Sequence, residues 1–373
     1  MHISFLIAKD LLQGGGGIEK LTCEVGRRLV SRGHRVVVYS THGAGPSSPT
    51  WEGVEIRWMP QVRPYWAEKT AGALFASAWA LAAKERPDVF HLHSVAAGAM
   101  APLLRLRRVP CILQMHGIEW QRSRWGATAK ATLRIMEKIS FLNARVVTAV
   151  SQSQSVFYRA RYQVPVSFIP AGTEVKPPVD PVHFAEIGIQ PRKYFMTAAR
   201  LVKEKGLHYL IPAFQKVKCD WKLVIAGADG GDMGYVQKLR QLAAGDCRIL
   251  FLGHVEASLL DELYSNAGAY VQASEIEGMS LSLLDAMSFG NCCLASDIPS
   301  NLEVLGDSGI TFRNFDIEDL ISQLSTVVQS PNMIASLGLA ARSRVHTHFT
   351  WERVTDMLED LYLSTVRDFR IGR

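Results

Sequence analysis

Short runs of β-branched and aromatic residues alternate with amphipathic stretches along this chain, and the alternation runs twice. In the first half the runs are His2–Ala8, Arg35–Ser40, Val54–Trp58, Asp88–His93, Pro110–His116, Arg145–Val150 and Val166–Pro170. Helical spacing is expected between them, near Ile18–Arg32, Trp66–Lys84, Val95–Arg107, Ala127–Leu142 and Ser151–Arg159. Near-continuous apolar runs suit strands covered on both faces, and strand–helix alternation implies parallel crossovers. The rhythm stops over 173–190, where prolines interrupt the segment EVKPPVDPVHF. It restarts with runs at Tyr194–Ala199, Lys222–Ala226, Arg248–Leu252, Ala269–Gln272, Cys292–Ala295 and Ile310–Phe312. Helices are expected near Leu207–Lys218, Met233–Ala243, Ser258–Asn266, Leu281–Phe289 and Ile317–Val328, with one long amphipathic helix over Thr350–Asp368. The pattern predicts an α/β chain of two Rossmann-like, doubly wound domains facing across a cleft.

Composition narrows the class. The 373 residues leave room for about two domains, and 48% hydrophobic content excludes a disordered chain. No stretch reaches the ~20 apolar residues of a membrane span. The nearest, Ala71–Ala83, is bracketed by Lys69 and Lys84 and reads as a buried or interfacial helix. The start, HISFLIA, lacks the basic n-region of a secretion signal. Six cysteines (Cys23, Cys111, Cys219, Cys247, Cys292, Cys293) show no metal-ligand spacing, and a disulfide framework is not expected at this size. A cytoplasmic setting follows. Residues 1–180 hold 23 Lys and Arg against 12 Asp and Glu, while 181–373 hold 18 against 23. A basic half calls for an anionic partner: a membrane surface, a phosphorylated acceptor or nucleic acid.

Three motifs carry candidate chemistry. Gln13–Lys20 (QGGGGIEK) follows the first strand and opens a helix. Backbone N–H groups and the helix dipole there favour an anion such as a phosphate, although a ligand-free first turn would use the same residues. Ala199–Gly206 (ARLVKEKG) sets Arg200 and Lys205 at a strand's C-terminal end, where two cations could neutralise a diphosphate or simply face solvent. Ser274–Asp285 (SEIEGMSLSLLD) places Glu277 in a loop and Asp285 eight residues on, in the second turn of a helix starting near Ser280. Two such carboxylates could grip hydroxyls of a sugar and a ribose; a capped helix with a solvent-facing Asp is the plainer alternative.

Histidines supply a fourth feature. His91 and His93 share one strand face, and His116 ends a strand before Gly117. Two histidines without a third ligand argue against a metal site. A strand-end histidine is the better candidate for touching a ligand, and His91 the better candidate for a core histidine. The segment from Arg105 to Lys138 mixes Arg105, Arg107, Arg108, Trp120, Arg122, Arg124, Trp125, Lys130, Arg134 and Lys138. Interfacial membrane binding uses such a mix, single-stranded nucleic acid can use it, and a solvated basic face needs nothing more.

Together these elements resemble the GT-B-fold, retaining nucleotide-sugar glycosyltransferases of family 4, over nearly the whole chain. The family's GGxE element matches Gly16, Gly17 and Glu19, its strand-end histidine His116, its R-x(4)-K pair Arg200 and Lys205, and its E-x(7)-E element Glu277 to Asp285. The stretch HGIEWQRSRWG is similar to a bacterial branch that builds cell-surface polysaccharide such as lipopolysaccharide and capsule, including rhamnosyltransferase-like members. Two positions depart from the pattern: Asp285 where the family usually has Glu, and Pro170-Ala171-Gly172 where it often has P-N-G.

The resemblance implies the following division: an acceptor-binding domain over 1–172 with the chain's last helix (about 357–373) packing back on it, a linker over 173–190, and a nucleotide-sugar domain over 191–356. It implies catalytic roles for His116, Arg200, Lys205 and Glu277. Donor binding would fall to Gly16, Gly17, Arg200, Lys205, Glu277, Gly278, Met279, Ser280, Leu281 and Asp285. The acceptor side would involve His93, Glu119, Trp120, Arg122 and Arg124. No metal and no cofactor are expected, since no D-x-D motif is present and the two cations would stabilise the departing diphosphate. The implied reaction is transfer, with retention, from a nucleoside-diphosphate sugar (UDP favoured, GDP possible) to a lipid-linked or growing glycan at an anionic inner membrane face. A sugar-nucleotide epimerase or a sugar-phosphate synthase of the same fold is the enzyme alternative. A nucleic-acid-binding module is the other class, and it leaves the Arg200/Lys205 and Glu277/Asp285 elements without a purpose.

Overall fold

The computed structural model describes residues 1–7, 11–12, 16–41, 50–59, 86–122 and 125–371. The chain divides into two compact units, Met1–Gly172 with Trp351–Arg373, and Thr173–Thr350. The expected helix at Trp66–Lys84, the apolar stretch Ala71–Ala83 and Arg124 lie outside the described residues.

The first unit is built on β1 (His2–Leu6), β2 (Arg35–Thr41), β3 (Thr50–Trp51), β4 (Val54–Met59), β5 (Val89–His93), β6 (Cys111–Met115), β7 (Val146–Ala149) and β8 (Val166–Phe168). Their order across the sheet is β3-β4-β2-β1-β5-β6-β7-β8, parallel except for the short antiparallel β3–β4 pair at one edge. Strands β5 and β6 are buried at every residue, so their apolar runs are continuous rather than alternating. Leu6, Phe90, Leu92, Leu113 and Val147 form the core beneath the helices. The C-terminal helix, Trp351–Ile371, lies on helix Gly17–Ser31. Arg32 there pairs with Asp356 at 2.7 Å and Glu359 at 2.6 Å.

The second unit carries β9 (Tyr194–Ala198), β10 (Lys222–Ala226), β11 (Ile249–Gly253), β12 (Ala269–Gln272), β13 (Cys293–Ser296) and β14 (Ile310–Phe312). All pairings are parallel, in the order β11-β10-β9-β12-β13-β14. The 173–190 segment belongs to this unit, tied to helix Ala257–Asn266 by Lys176–Asp261 (2.6 Å) and by Glu262, which accepts from the His183 N–H at 2.7 Å.

Besides the short strand Thr50–Trp51 and the one-turn helix Phe184–Ile187, which the pattern did not mark, the structure departs from the expected elements in three larger places. The stretch expected as one helix over Val95–Arg107 is two short helices, Ser94–Gly98 and Ala101–Leu106, with Pro102 in the first turn of the second. Proline fits a first turn, where no N–H is needed, but interrupts a continuing helix. Helices Pro299–Leu305 and Pro331–His348 have no counterpart in the expected set. The second buries only Gly338, Ala341 and Val345, so its apolar stripe is too sparse to signal a helix by periodicity.

Candidate active site

In each sheet the direction of growth reverses at one strand, and ligands of such sheets bind above the C-terminal strand ends at that point. In the second unit the reversal falls between β9 and β12. Arg200 stands exposed just beyond β9. The chain then makes a 3-10 turn over Lys203–Lys205 and leaves it through Gly206 at φ +67°. A Cβ at Gly206 would sit 1.8 Å from the Ala273 carbonyl oxygen. Only glycine lets the turn lie against the loop that leaves β12.

That contact brings two sequence motifs together. The Glu275 N–H donates to the Glu204 carbonyl at 2.9 Å. The Lys205 ammonium pairs with the Glu277 carboxylate, which also accepts from the Ser274 hydroxyl at 2.8 Å. Both partners are largely buried, with side chains 21% and 12% exposed, so the charges are fixed rather than swinging in solvent. Ser280 caps helix Leu281–Ser288 by accepting from the Leu283 N–H, while its hydroxyl donates to Gln272 at 2.8 Å. Its side chain is thus committed to the scaffold, and the helix's first N–H groups carry the anion-facing character. Asp285, in the second turn, accepts a short hydrogen bond from the Thr173 hydroxyl.

In the first unit the reversal falls between β1 and β5. Gly16 forms the N-cap of helix Gly17–Ser31, and a Cβ there would lie 2.2 Å from a Glu19 carboxylate oxygen. Glu19 is buried and folds back over the helix start. His93 ends β5 and is 3% exposed; His116 follows β6 and is partly exposed. His93 Nδ1 lies 2.9 Å from His116 Nε2, and the His91 ring stacks on His93 at 4.4 Å. Burial lowers His116 to about 4, with Arg122 acting the same way and Glu119 against it. Burial likewise drives His91 to about 3 and His93 well below the usual range. All three are neutral at pH 7. Among the described residues no group of three or more His, Cys, Asp or Glu side chains is placed to hold a metal.

The remaining named residues form a brace. Arg122 pairs with Glu119 at 3.2 Å across one turn. The Trp120 indole N–H donates to Glu137 at 3.3 Å, and the Arg134 guanidinium stacks 4.4 Å above its ring. Glu137 is fully buried and accepts from Tyr162 at 2.6 Å. Sequence reading did not single out Glu137, Ser274 or Thr173. Only Ser274, three residues before Glu277, carries a local signal.

Comparison with known proteins decides the family. The model described as Glycosyltransferase Family 4 matches residues 15–176, and the one described as Glycosyl transferases group 1 matches 180–344. This chain belongs to the family 4, group 1 glycosyltransferases. It is 24% identical to the N-acetyl-alpha-D-glucosaminyl L-malate synthase of Bacillus anthracis, with 96% of each chain covered. It is 26% identical to the lipopolysaccharide core biosynthesis mannosyltransferase LpcC of Rhizobium leguminosarum bv. viciae, over 78% of this chain and 82% of that one. Among solved structures, the sucrose-phosphate synthase of Thermosynechococcus elongatus superposes with a TM-score of 0.84 at 20% identity, covering 97% and 98% of the two chains. Anabaena HepE in complex with UDP and glucose gives 0.80 at 18% identity, covering 98% and 100%. The fold of this glycosyltransferase is GT-B.

Proposed function

We propose that this glycosyltransferase moves a sugar, with retention, from a nucleoside diphosphate, UDP in preference to GDP, onto a lipid-linked or growing cell-surface glycan. The observation that carries the reading is the Lys205–Glu277 pair held at the β9/β12 switch point, its lysine on the same segment after β9 as Arg200. In this role Arg200 and Lys205 meet the diphosphate, and Glu277 exchanges its lysine for a donor-sugar hydroxyl. Fixed cations aimed at charge that grows on a leaving group lower the barrier without reorganisation. No metal is needed for that step. In the same role Asp285, oriented by the Thr173 hydroxyl, holds the ribose. Gly16, Gly17 and the Gly278–Leu281 backbone supply N–H groups, and His116 faces the donor sugar. Glu119, Trp120 and Arg122 belong to the acceptor side.

UDP is favoured because HepE of Anabaena is described with UDP and UDP-glucose. The acceptor reading draws support from the basic first half and from LpcC. A membrane surface fits helices Ala101–Leu106 and Ala127–Asn143, which expose Leu103, Leu106, Ile135, Ile139 and Leu142 beside Arg105, Arg107 and Lys138. Likeness to sucrose-phosphate synthase favours a small phosphorylated acceptor as the second reading. Replacing Arg200 or Lys205 by Ala should lower kcat roughly 10²–10³-fold, the cost of one preorganised donor. Both variants within tenfold of wild type overturn the assigned roles, and a panel of lipid-linked and sugar-phosphate acceptors separates the two readings.

A further inference from the structure

His93 lies between three ring systems and one hydroxyl. Phe5 stacks on it at 5.9 Å and His91 at 4.4 Å, with the His116 ring 5.1 Å away. Each of its two nitrogens has one neighbour: Nε2 lies 3.5 Å from the Thr22 hydroxyl, and Nδ1 lies 2.9 Å from His116 Nε2. The Thr22 hydroxyl spends its only hydrogen on the Ile18 carbonyl at 2.9 Å. Toward His93 it offers a lone pair and nothing else. A neutral imidazole carries one N–H and one bare nitrogen, so a His93 facing that lone pair bears its proton on Nε2. Nδ1 is then bare and must accept, which requires the proton of His116 to sit on Nε2.

We propose that His93 is a positioning residue: with Thr22 it fixes His116 as the Nε2–H tautomer and leaves His116 Nδ1 as a hydrogen-bond acceptor at the end of β6. An acceptor nitrogen selects a hydroxyl group over a bare carbonyl or carboxylate, so the donor-sugar atom facing His116 is a hydroxyl. This last clause rests on the glycosyl-transfer reading; the tautomer does not. The groups facing His116 are Glu119 and Arg122 in the turn after it and His93 from β5. Among the described residues, the groups facing His93 are His91, His116 and Thr22, none of them an ionised partner that competes for the proton.

The test uses the full chain labelled with ¹⁵N-histidine and two-bond ¹H–¹⁵N correlation, with the His116 signals assigned by their absence from His116→Gln. The expected wild-type pattern is a pyrrole-type Nε2 and a pyridine-type Nδ1. His93→Asn places a carbonyl oxygen near the Nδ1 position and should keep that pattern. His93→Phe keeps the ring stack but removes the acceptor, and should shift both nitrogens toward averaged values. A wild-type His116 protonated on Nδ1 overturns the proposal, as does an unchanged pattern in His93→Phe. In turnover, His93→Phe should lower kcat about 10–100-fold, by analogy with the outer-shell partners that orient metal-ligating histidines, with His93→Asn restoring most of it. Should the tautomer shift in His93→Phe while no sugar transfer is found for wild type with any donor, the glycosyl-transfer reading falls and the positioning role stands.

Discussion

At the scale of single residues, the candidate site depends on atoms that are missing. Gly206 has no Cβ where one would collide with the Ala273 carbonyl, and that absence seats the 203–205 turn against the 274–277 loop. Gly206→Ala must also hold φ +67°, a strained conformation for alanine. Strain of this kind costs about 1–3 kcal/mol. If the turn relaxes to avoid it, Lys205 leaves Glu277. The variant is expected to lose as much kcat as Lys205→Ala while keeping a cooperative urea transition; kcat within twofold of wild type would show that the turn tolerates a methyl group. The identities of Arg200, Lys205, Glu277 and Asp285 were legible in the sequence because each sits at a strand end or helix start with a fixed spacing. Their pairing was not. Lys205 and Glu277 are far apart along the chain, and nothing local announces that a lysine and a glutamate read as separate ligand contacts are joined before any ligand binds. The Thr173 hydroxyl on Asp285 was hidden for the same reason.

At the scale of elements, strands read well and helices with thin apolar stripes did not. Continuous runs such as VFHLH and CILQM identify β5 and β6 because both faces are covered. The helix Pro331–His348 escaped because it buries few residues. Strand reading also placed His91 and His93 on one face, and the structure shows what that face costs. His91 Nδ1 meets the Tyr362 hydroxyl of the C-terminal helix at 2.6 Å, inside the fully buried core of the strand. Burial holds His91 near 3, against about 6.5 in an unfolded chain. A lowered histidine pKa means that the unfolded state binds the extra proton between those values. The contribution is therefore complete above pH 6.5 and declines as the pH falls toward 3, by up to about 1.4 kcal/mol per pH unit for each such group. His93 and His116 add to the same slope. The urea midpoint should fall steadily from pH 6.5 to 4.5. His91→Gln, which cannot titrate there, should flatten the slope by about one proton's worth. An unchanged slope would place the acid sensitivity elsewhere.

At the scale of the whole molecule, excess positive charge and a pair of helices with exposed leucines both fall in the first half of the chain. Residues 1–180 carry a net charge of +11 and the rest −5. Leu106 and Leu142 are 78% and 60% exposed, on two helices joined where Arg105 donates to the Leu142 carbonyl. No helix among the described residues is long and apolar enough to cross a membrane, so attachment would be interfacial. Cations near an anionic bilayer contribute about 1 kcal/mol each, screened over a Debye length of about 10 Å at 0.1 M salt. Buried leucines add about 1.5–3 kcal/mol each, which salt does not screen. The two contributions can be separated by cosedimentation. Wild type should pellet with vesicles containing anionic phospholipid at low salt, far less at high salt, and not with purely zwitterionic vesicles. Leu106→Ser combined with Leu142→Ser should weaken binding about tenfold or more at low salt while leaving its salt dependence intact. A nucleic-acid surface would behave differently: single strands would bind with log-linear salt dependence, and the two leucines would be indifferent to it. Wild type that stays in the supernatant with anionic vesicles at low salt removes the membrane from this protein's function, and the acceptor would then be a soluble one.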